Sequence, residues 1–311
     1  MTRIVSTFLK KEFFMKHLIA LLLAMCISTA AFADFRETYL RLLNEGKFTE
    51  LEQHLTTWQR AESKDPEVYI AWFNYYINRK MKTGMAIDAS IDTKKTHMII
   101  TDPKSGKVVG YLGDKVYYDY DDVRSAIRYL DTGIGFAKKR LDMYFGKIHI
   151  LGAIGEIDKQ AAVVIQVLEL SVRNKHEWLW SQNKPLADSK QFLLDNVQGY
   201  YDFWFKRQTK ISMDAVLAVS SRQIELLPDD MYAYNILSYY YNIQDKKNEA
   251  MQILLKAYSV KADDYIIVGN IAMLYEELKD KKNAKKYYTV IIKNGDAEIS
   301  SWAKDRIKNV Q

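Results

Sequence analysis

Between Asp229 and Asn294 the chain repeats itself at a fixed interval. Leu237, Ser238, Tyr241, Ala250 and Leu254 return as Ile271, Ala272, Tyr275, Ala284 and Tyr288, each 34 positions later (271 − 237 = 34). A period of this size marks a stack of like units, because one such unit cannot bury its apolar face alone and a neighbour must cover it. Ala250, Ile253, Leu254, Ala257 and Tyr258 keep i, i+3, i+4, i+7, i+8 spacing, which puts one apolar stripe along a helix. Four prolines and 13 glycines in 311 residues disfavour both a turn-rich β fold and disorder.

The front of the chain reads as an export signal. Lys16 and His17 lead into the apolar run Leu18 to Cys26, and Ala31-Phe32-Ala33 supplies a small-x-small exit. The run is too short for a helix to span a bilayer core of about 30 Å, so no membrane span is expected in the mature chain. Cleavage between Ala33 and Asp34 is expected, and Met15 to Ala33 alone makes a complete signal. The alternative is lipidation at Cys26, but the residue before it, Met25, is larger than a lipidation motif prefers. Cys26 is the only cysteine, so the mature chain would be free of thiols and disulfides, in the periplasm or outside the cell. The formal charge of +6 includes +3 from residues 1–33 (4 − 1), which leaves +3 for the rest and no argument for nucleic-acid binding.

Residues 34–84 read as helices, with Gly46 between the first two and Asp65-Pro66 opening a third, where a proline costs no hydrogen bond. The runs Gly46-Lys47-Phe48 and Ala71-Trp72-Phe73-Asn74 resemble the tetratricopeptide repeat (TPR) family. The fuller match is C-terminal. Tyr234, Leu237, Ser238, Tyr241, Ala250, Leu254 and Ala257 fall on the signature positions of one repeat, and Ile271, Ala272, Tyr275, Ala284 and Tyr288 on those of the next. The resemblance implies an all-α, right-handed α-solenoid of about six helix pairs. Small residues would sit at helix crossings, with Tyr241 and Tyr275 as wedges in the core. Val268 and Ile291 depart from the family pattern, so the ends of the second repeat are expected to splay.

Residues 85–119 interrupt the helices. His97 to Thr101 and Lys107 to Leu112, joined by Pro103-Lys104-Ser105-Gly106, predict a small β-hairpin insertion between the two helices of one pair. Such a hairpin is marginal alone and is expected to brace the stack or contact a partner. Residues 120–228 read as diverged pairs, with Phe145, Gly146 and His149 placed on the family's Leu-Gly-x-x-Tyr positions and Trp178 to Pro185 as a loop. Residues 229–294 are the two clear repeats, and 295–311 a capping helix.

No catalytic constellation is visible. His54, His97, His149 and His176 are far apart in sequence, and no zinc-protease helix, phosphate loop or nucleophile elbow occurs. His149 is expected to be a packed, hydrogen-bonded side chain. Asp119 to Asp122 and Asp229-Asp230 are read as helix caps, and Lys279 to Lys286 as a solvated helix face. The expectation is therefore a protein that is not an enzyme, with no cofactor and no metal.

The resemblance also implies a binding groove. Carrying over the family's groove positions gives Tyr232, Asn235, Tyr239 and Asn242, then Ile266, Met273 and Glu276. Tyrosine, asparagine and methionine suit the docking of a peptide or protein partner, with aromatic anchors and amides for an extended backbone. Lysine and arginine are missing from these positions, so an acidic C-terminal tail is not the expected ligand. A non-catalytic binding scaffold of the bacterial cell envelope is the reading implied. The alternatives are an inhibitor or immunity-type protein that uses the hairpin, and an envelope hydrolase on a helical scaffold.

Overall fold

A computed structural model describes residues 35–88 and 98–310. The export signal, Cys26, the cleavage position at Ala33 and Asp34, and His97 lie outside the described residues. The chain forms two compact units divided at Lys138/Lys139.

The first unit holds α1 (residues 35–44), α2 (Phe48–Ala61), α3 (Pro66–Arg79), a small sheet and α4 (Tyr120–Phe136). Gly46 takes φ +67° between α1 and α2, and Lys47 N donates back to Leu42 O, closing the turn. Asp65 caps α3 by accepting from Glu67 N, with Pro66 at the first helical position. α3 and α4 pack together although the sheet lies between them in sequence. Arg79, the last residue of α3, fixes this closure. It donates from Nε to Asp122 Oδ2 at 2.7 Å and from a terminal nitrogen to Oδ1 at 2.5 Å. Asp122 is 3% exposed, and its charge is held by this planar two-point contact.

The insertion is larger than a hairpin. Strands β1 (Lys82–Asp88), β2 (Met98–Thr101) and β3 (Val108–Tyr117) form an antiparallel sheet in the order β1-β3-β2. The β2–β3 hairpin is where the sequence places it, and α3 stops at Arg79 rather than continuing to residue 84. β1 leaves no sequence signal because Lys82-Thr83-Gly84-Met85-Ala86 has no apolar alternation. Its Gly84 instead makes room for the Tyr117 ring, which a Cβ there would meet at 3.2 Å.

The second unit is a helical solenoid: α5 (Leu141–Ala153), α6 (Ile157–Arg173), α7 (Ser189–Arg207), α8 (Lys210–Leu226), α9 (Met231–Ile243), α10 (Lys247–Val260), α11 (Tyr265–Glu277), α12 (Lys281–Asn294) and α13 (Ala297–Asn309). From α8 to α13 each helix packs on the next. The 34-residue period extends to the helix caps and to turns that sequence alone does not display. Asp230 and Asp264 cap α9 and α11. Asp245 and Lys279 take the left-handed conformation, at φ +57° and +61°. Lys246 N donates to Tyr241 O and Asp280 N to Tyr275 O, so the two turns are built alike. Ala250, Ala257, Ala272 and Ala284 are each 0% exposed at the helix crossings. The fold is TPR-like.

Four expectations need correction. Tyr241 and Tyr275 are half-buried rather than core wedges, and Tyr275 stacks on Tyr287 at 5.7 Å. The end of the second repeat does not splay. Val268 and Ile291 are fully buried, and Trp302 of α13 lies over Gly269, where a Cβ would be 3.2 Å from its ring. His149 is exposed, because α5 sits two residues out of the register that the Leu-Gly-x-x-Tyr placement implies. The turn at Gly155 (φ +83°) carries the same bond, Glu156 N to Leu151 O, and so aligns Gly155 with Asp245. That alignment sets Tyr144 on Tyr234, Ile148 on Ser238 and Gln160 on Ala250. Finally, Trp178 to Pro185 is an ordered wrap rather than an open loop. Two short strands, Leu179–Trp180 and Lys184–Pro185, pair there, and Trp178 is buried with its Nε1 donating to Ser171 Oγ at 3.0 Å.

Gln160 thus occupies a position where the clear repeats have alanine, and Gly152 compensates. Gln160 Nε2 donates to Ile148 O at 3.2 Å, and its Oε1 accepts from Trp204 Nε1 at 2.8 Å, which ties α5, α6 and α7 together. A Cβ on Gly152 would lie 2.3 Å from Gln160 Nε2. Glycine to alanine inside a helix ordinarily stabilises by about 0.5–1 kcal/mol. Gly199→Ala in α7, where a Cβ meets nothing within 4 Å, should show that gain. Gly152→Ala should instead destabilise by about 1–3 kcal/mol, because it displaces a buried amide; urea unfolding of the two variants reads the opposite signs. Asp122→Asn should lower the stability of the first unit by about 2–4 kcal/mol, since it strips the Arg79 charge of its partner. Thermal melting should show the loss, while Asp121→Asn, on the exposed side of α4, should change it little.

Candidate functional site

Helices α9 and α11 are successive first members of helix pairs, and between them runs a cleft of about 190 Å³. Its walls are Asn235, Ser238, Tyr239 and Asn242 from α9, Asn270, Met273, Leu274 and Glu277 from α11, and Leu254 from α10. The cleft exists because Ser238 is small and turned inward, its hydroxyl donating to Ala250 O at 3.2 Å. α9 can therefore seat against α10 while its other face stays open.

Of the seven groove positions read from the sequence, four line this cleft: Asn235, Tyr239, Asn242 and Met273. Tyr239 is 54% exposed, its ring edge-on to Phe205 at 5.1 Å, so it is anchored on one side and available on the other. Asn270 Nδ2 donates to Asn235 Oδ1 at 2.7 Å, a bridge between the two helices. That bond leaves the Asn235 amide hydrogens and the Asn270 carbonyl for a ligand. Asn242 Oδ1 is buried without a donor among the described residues. A buried carbonyl left unpaired costs free energy.

The other three positions lie elsewhere. Tyr232 is half-buried against Tyr201 at 6.3 Å, and burial pushes its hydroxyl pKa up, with Asp202 and Asp230 adding to the effect. Ile266 is 64% exposed and does not line the cleft. Glu276 is taken by α13, where its carboxylate accepts from Arg306. Asn270, Leu274 and Glu277 escape a sequence reading that places α11 by shifting α9 residues 34 positions. A cleft between two helices shows opposite flanks of them, so α11 presents positions one residue beyond some of those. Glu277 lies 3.5 Å from Lys247.

Chemically the cleft offers amides, a hydroxyl, a thioether and one ion-paired carboxylate. It has no side chain set against a base as a nucleophile would be. Among the described residues no group of three or more His, Cys, Asp or Glu is placed to hold a metal. The volume is below the roughly 300–1,000 Å³ of small-molecule sites and suits one or two side chains of an extended segment.

The equivalent position in α5 is closed. Phe145 corresponds to Asn235 in the structural register, and Trp180 from the ordered wrap packs edge-on to it at 6.0 Å. Phe192 stacks on it at 5.9 Å. The chain fills this groove with its own aromatics, whereas the α9/α11 cleft is left open.

No family model matches the sequence, and no match is found among curated proteins. Among solved structures, a thermophilic TPR protein of Thermus thermophilus is similar at 12% identity over 60% of this chain and 89% of its own, with a TM-score of 0.35. A TPR protein from Parabacteroides merdae is similar at 12% identity over 89% of this chain and 97% of its own, with a TM-score of 0.28. MamA from Desulfovibrio magneticus is similar at 16% identity, covering 55% of this chain and 84% of its own, with a TM-score of 0.30. The TPR-like assignment rests on the 34-residue repetition of helices, caps and turns, not on these superpositions.

Proposed function

We propose that the protein is a non-catalytic binding scaffold that holds an extended segment of a protein partner in the α9/α11 cleft. The observation that carries this reading is the set of unspent hydrogen-bonding groups around one open aromatic ring. The Asn235–Asn270 pair has a donor and an acceptor to spare, and Tyr239 stands exposed beside it. An extended backbone offers donors and acceptors to such amides, and a side chain beside it can pack on Tyr239 and Met273. The leader-like front of the sequence supports a place of work in the bacterial cell envelope, after export.

A second reading is favoured by the insertion. Met85, Met98, Ile99, Val108 and Val109 on the sheet are each at least half exposed, a large apolar display for a small element. In an inhibitor or immunity-type protein this sheet, and not the cleft, would contact the target. Deleting Met98 to Leu112 would then abolish binding while leaving the second unit's helices intact.

Short random peptides selected for binding, with affinities measured by calorimetry, separate the two. Tyr239→Ala and Asn242→Ala should each weaken a selected peptide by about thirtyfold, about 2 kcal/mol, as buried anchors do. Tyr232→Ala and Ile266→Ala should change it by less than about twofold, since rim contacts contribute little. Equal effects at all four positions, or none, would remove the cleft from consideration.

A further inference from the structure

Helix α12 carries more positive charge than the fold or the cleft uses: Lys286 lies 5.2 Å over the Tyr287 ring and Lys282 acts on Asp280, and neither contact neutralises the face. Residues 278–294 contain Lys279, Lys281, Lys282, Lys285, Lys286 and Lys293 against Asp280, a net of 6 − 1 = +5. Residues 34–311 sum to +3, so everything else in that span amounts to 3 − 5 = −2. The excess positive charge beyond the leader-like front is therefore concentrated on one helix.

Lys282, Lys285, Lys286 and Lys293 surround a shallow depression of about 400 Å³ that also includes Thr289 and Val290. All four lysines are exposed, and among the described residues none has an ion-pair partner. The acids closest in sequence are engaged elsewhere. Asp280 accepts from Asn283 N at 3.0 Å and from Asn283 Nδ2 at 2.7 Å, as the cap of α12. Glu277 faces Lys247, and Glu276 holds Arg306.

This arrangement works against the helix. Lys281, Lys282, Lys285 and Lys286 lie in its first two turns, at the positive end of the helix dipole. The pairs 281/285 and 282/286 are like charges at i, i+4, and 282/285 at i, i+3, which repel. Packing of Ala284, Tyr287, Tyr288 and Ile291 on the opposite face keeps α12 in place despite this. Charge held against local stability, on an exposed face, points to a counter-charge outside the chain.

We propose that this face is an electrostatic contact site for an anionic phospholipid surface, to which the protein attaches reversibly. The chemistry favours lipid over nucleic acid. The face has lysines and no arginine, and the nearby Tyr287 ring is buried, so it lacks both the forked donors and the exposed aromatic platforms that strands of nucleic acid use. Ammonium groups on a straight helix face suit a plane of diffuse negative charge, whose attraction adds up lysine by lysine and decays within a screening length.

The test is sedimentation of the full chain with vesicles of phosphatidylcholine alone and of phosphatidylcholine with phosphatidylglycerol. Neutral vesicles measure whatever the apolar run Leu18 to Cys26 contributes. The wild type should prefer the anionic vesicles by at least about tenfold at low salt, and lose the preference in 1 M salt, where the screening length is about 3 Å. Changing Lys282, Lys285, Lys286 and Lys293 together to glutamine should lower the preference at least about fivefold, leaving what Arg3, Lys10, Lys11 and Lys16 contribute, which every variant shares. A control of equal charge, with Lys64, Lys107, Lys206 and Lys256 changed to glutamine, should keep it. Equal losses in the two variants, or no preference in the wild type, would overturn the proposal. So would a single-stranded oligonucleotide that displaces the protein from vesicles and itself depends on the four α12 lysines.

Discussion

The second unit depends on how closely its helices approach. At each crossing of the clear repeats a small residue, Ser238 against Ala250 or Ala272 against Ala284, lets two backbones come together without a void. Enlarging such a position costs about 1–3 kcal/mol in a packed core. That close seating fixes the rotation of every helix about its own axis. Rotation in turn decides which residues face a neighbour and which face the open side. The cleft is a consequence of this packing: once Ser238 turns toward α10, Asn235, Tyr239 and Asn242 are left facing α11.

Where the small residue is missing, a matched substitution replaces it. Gln160 brings an amide into the crossing, and Gly152 gives up its side chain so that the amide can bond Ile148 and Trp204. The same diverged stretch covers its groove position with Trp180. The two changes belong together physically. A repeat with a polar strut has its groove filled by the chain's own aromatics, whereas one with an alanine crossing leaves its groove open. In the first unit a different device serves closure. There the Arg79–Asp122 contact draws α3 and α4 together so that a three-stranded sheet can be carried between them.

How much of this was legible in the sequence follows from the kind of signal each feature leaves. Ala250, Ala284 and Asp230 were readable because a small residue and an N-cap acid are demanded by sterics and hydrogen bonding at fixed positions. The turns at Asp245 and Lys279 were not, because a non-glycine residue in the left-handed conformation leaves no mark in composition. Gly155 does leave a mark, and aligning α5 on it shows His149 to be exposed. β1 was hidden because its strand character comes from pairing with β3, not from its own alternation. Four of the seven expected groove positions line the cleft and three do not, since a periodic shift copies positions along the chain but not the side of a helix that a neighbour leaves uncovered. Glu276 was lost to Arg306, a partner 30 residues away that no local pattern indicates.

The most direct test of the cleft as the working surface is site-specific photocrosslinking in intact cells. A benzophenone amino acid would replace Tyr239, Met273 or, as a control on the exposed side of α10, Lys256. Positions 239 and 273 should label one and the same short segment of one partner, identified by mass spectrometry, and position 256 should not label it. Labelling of that segment from 256 as strongly as from 239, or different partners from 239 and 273, would contradict the account.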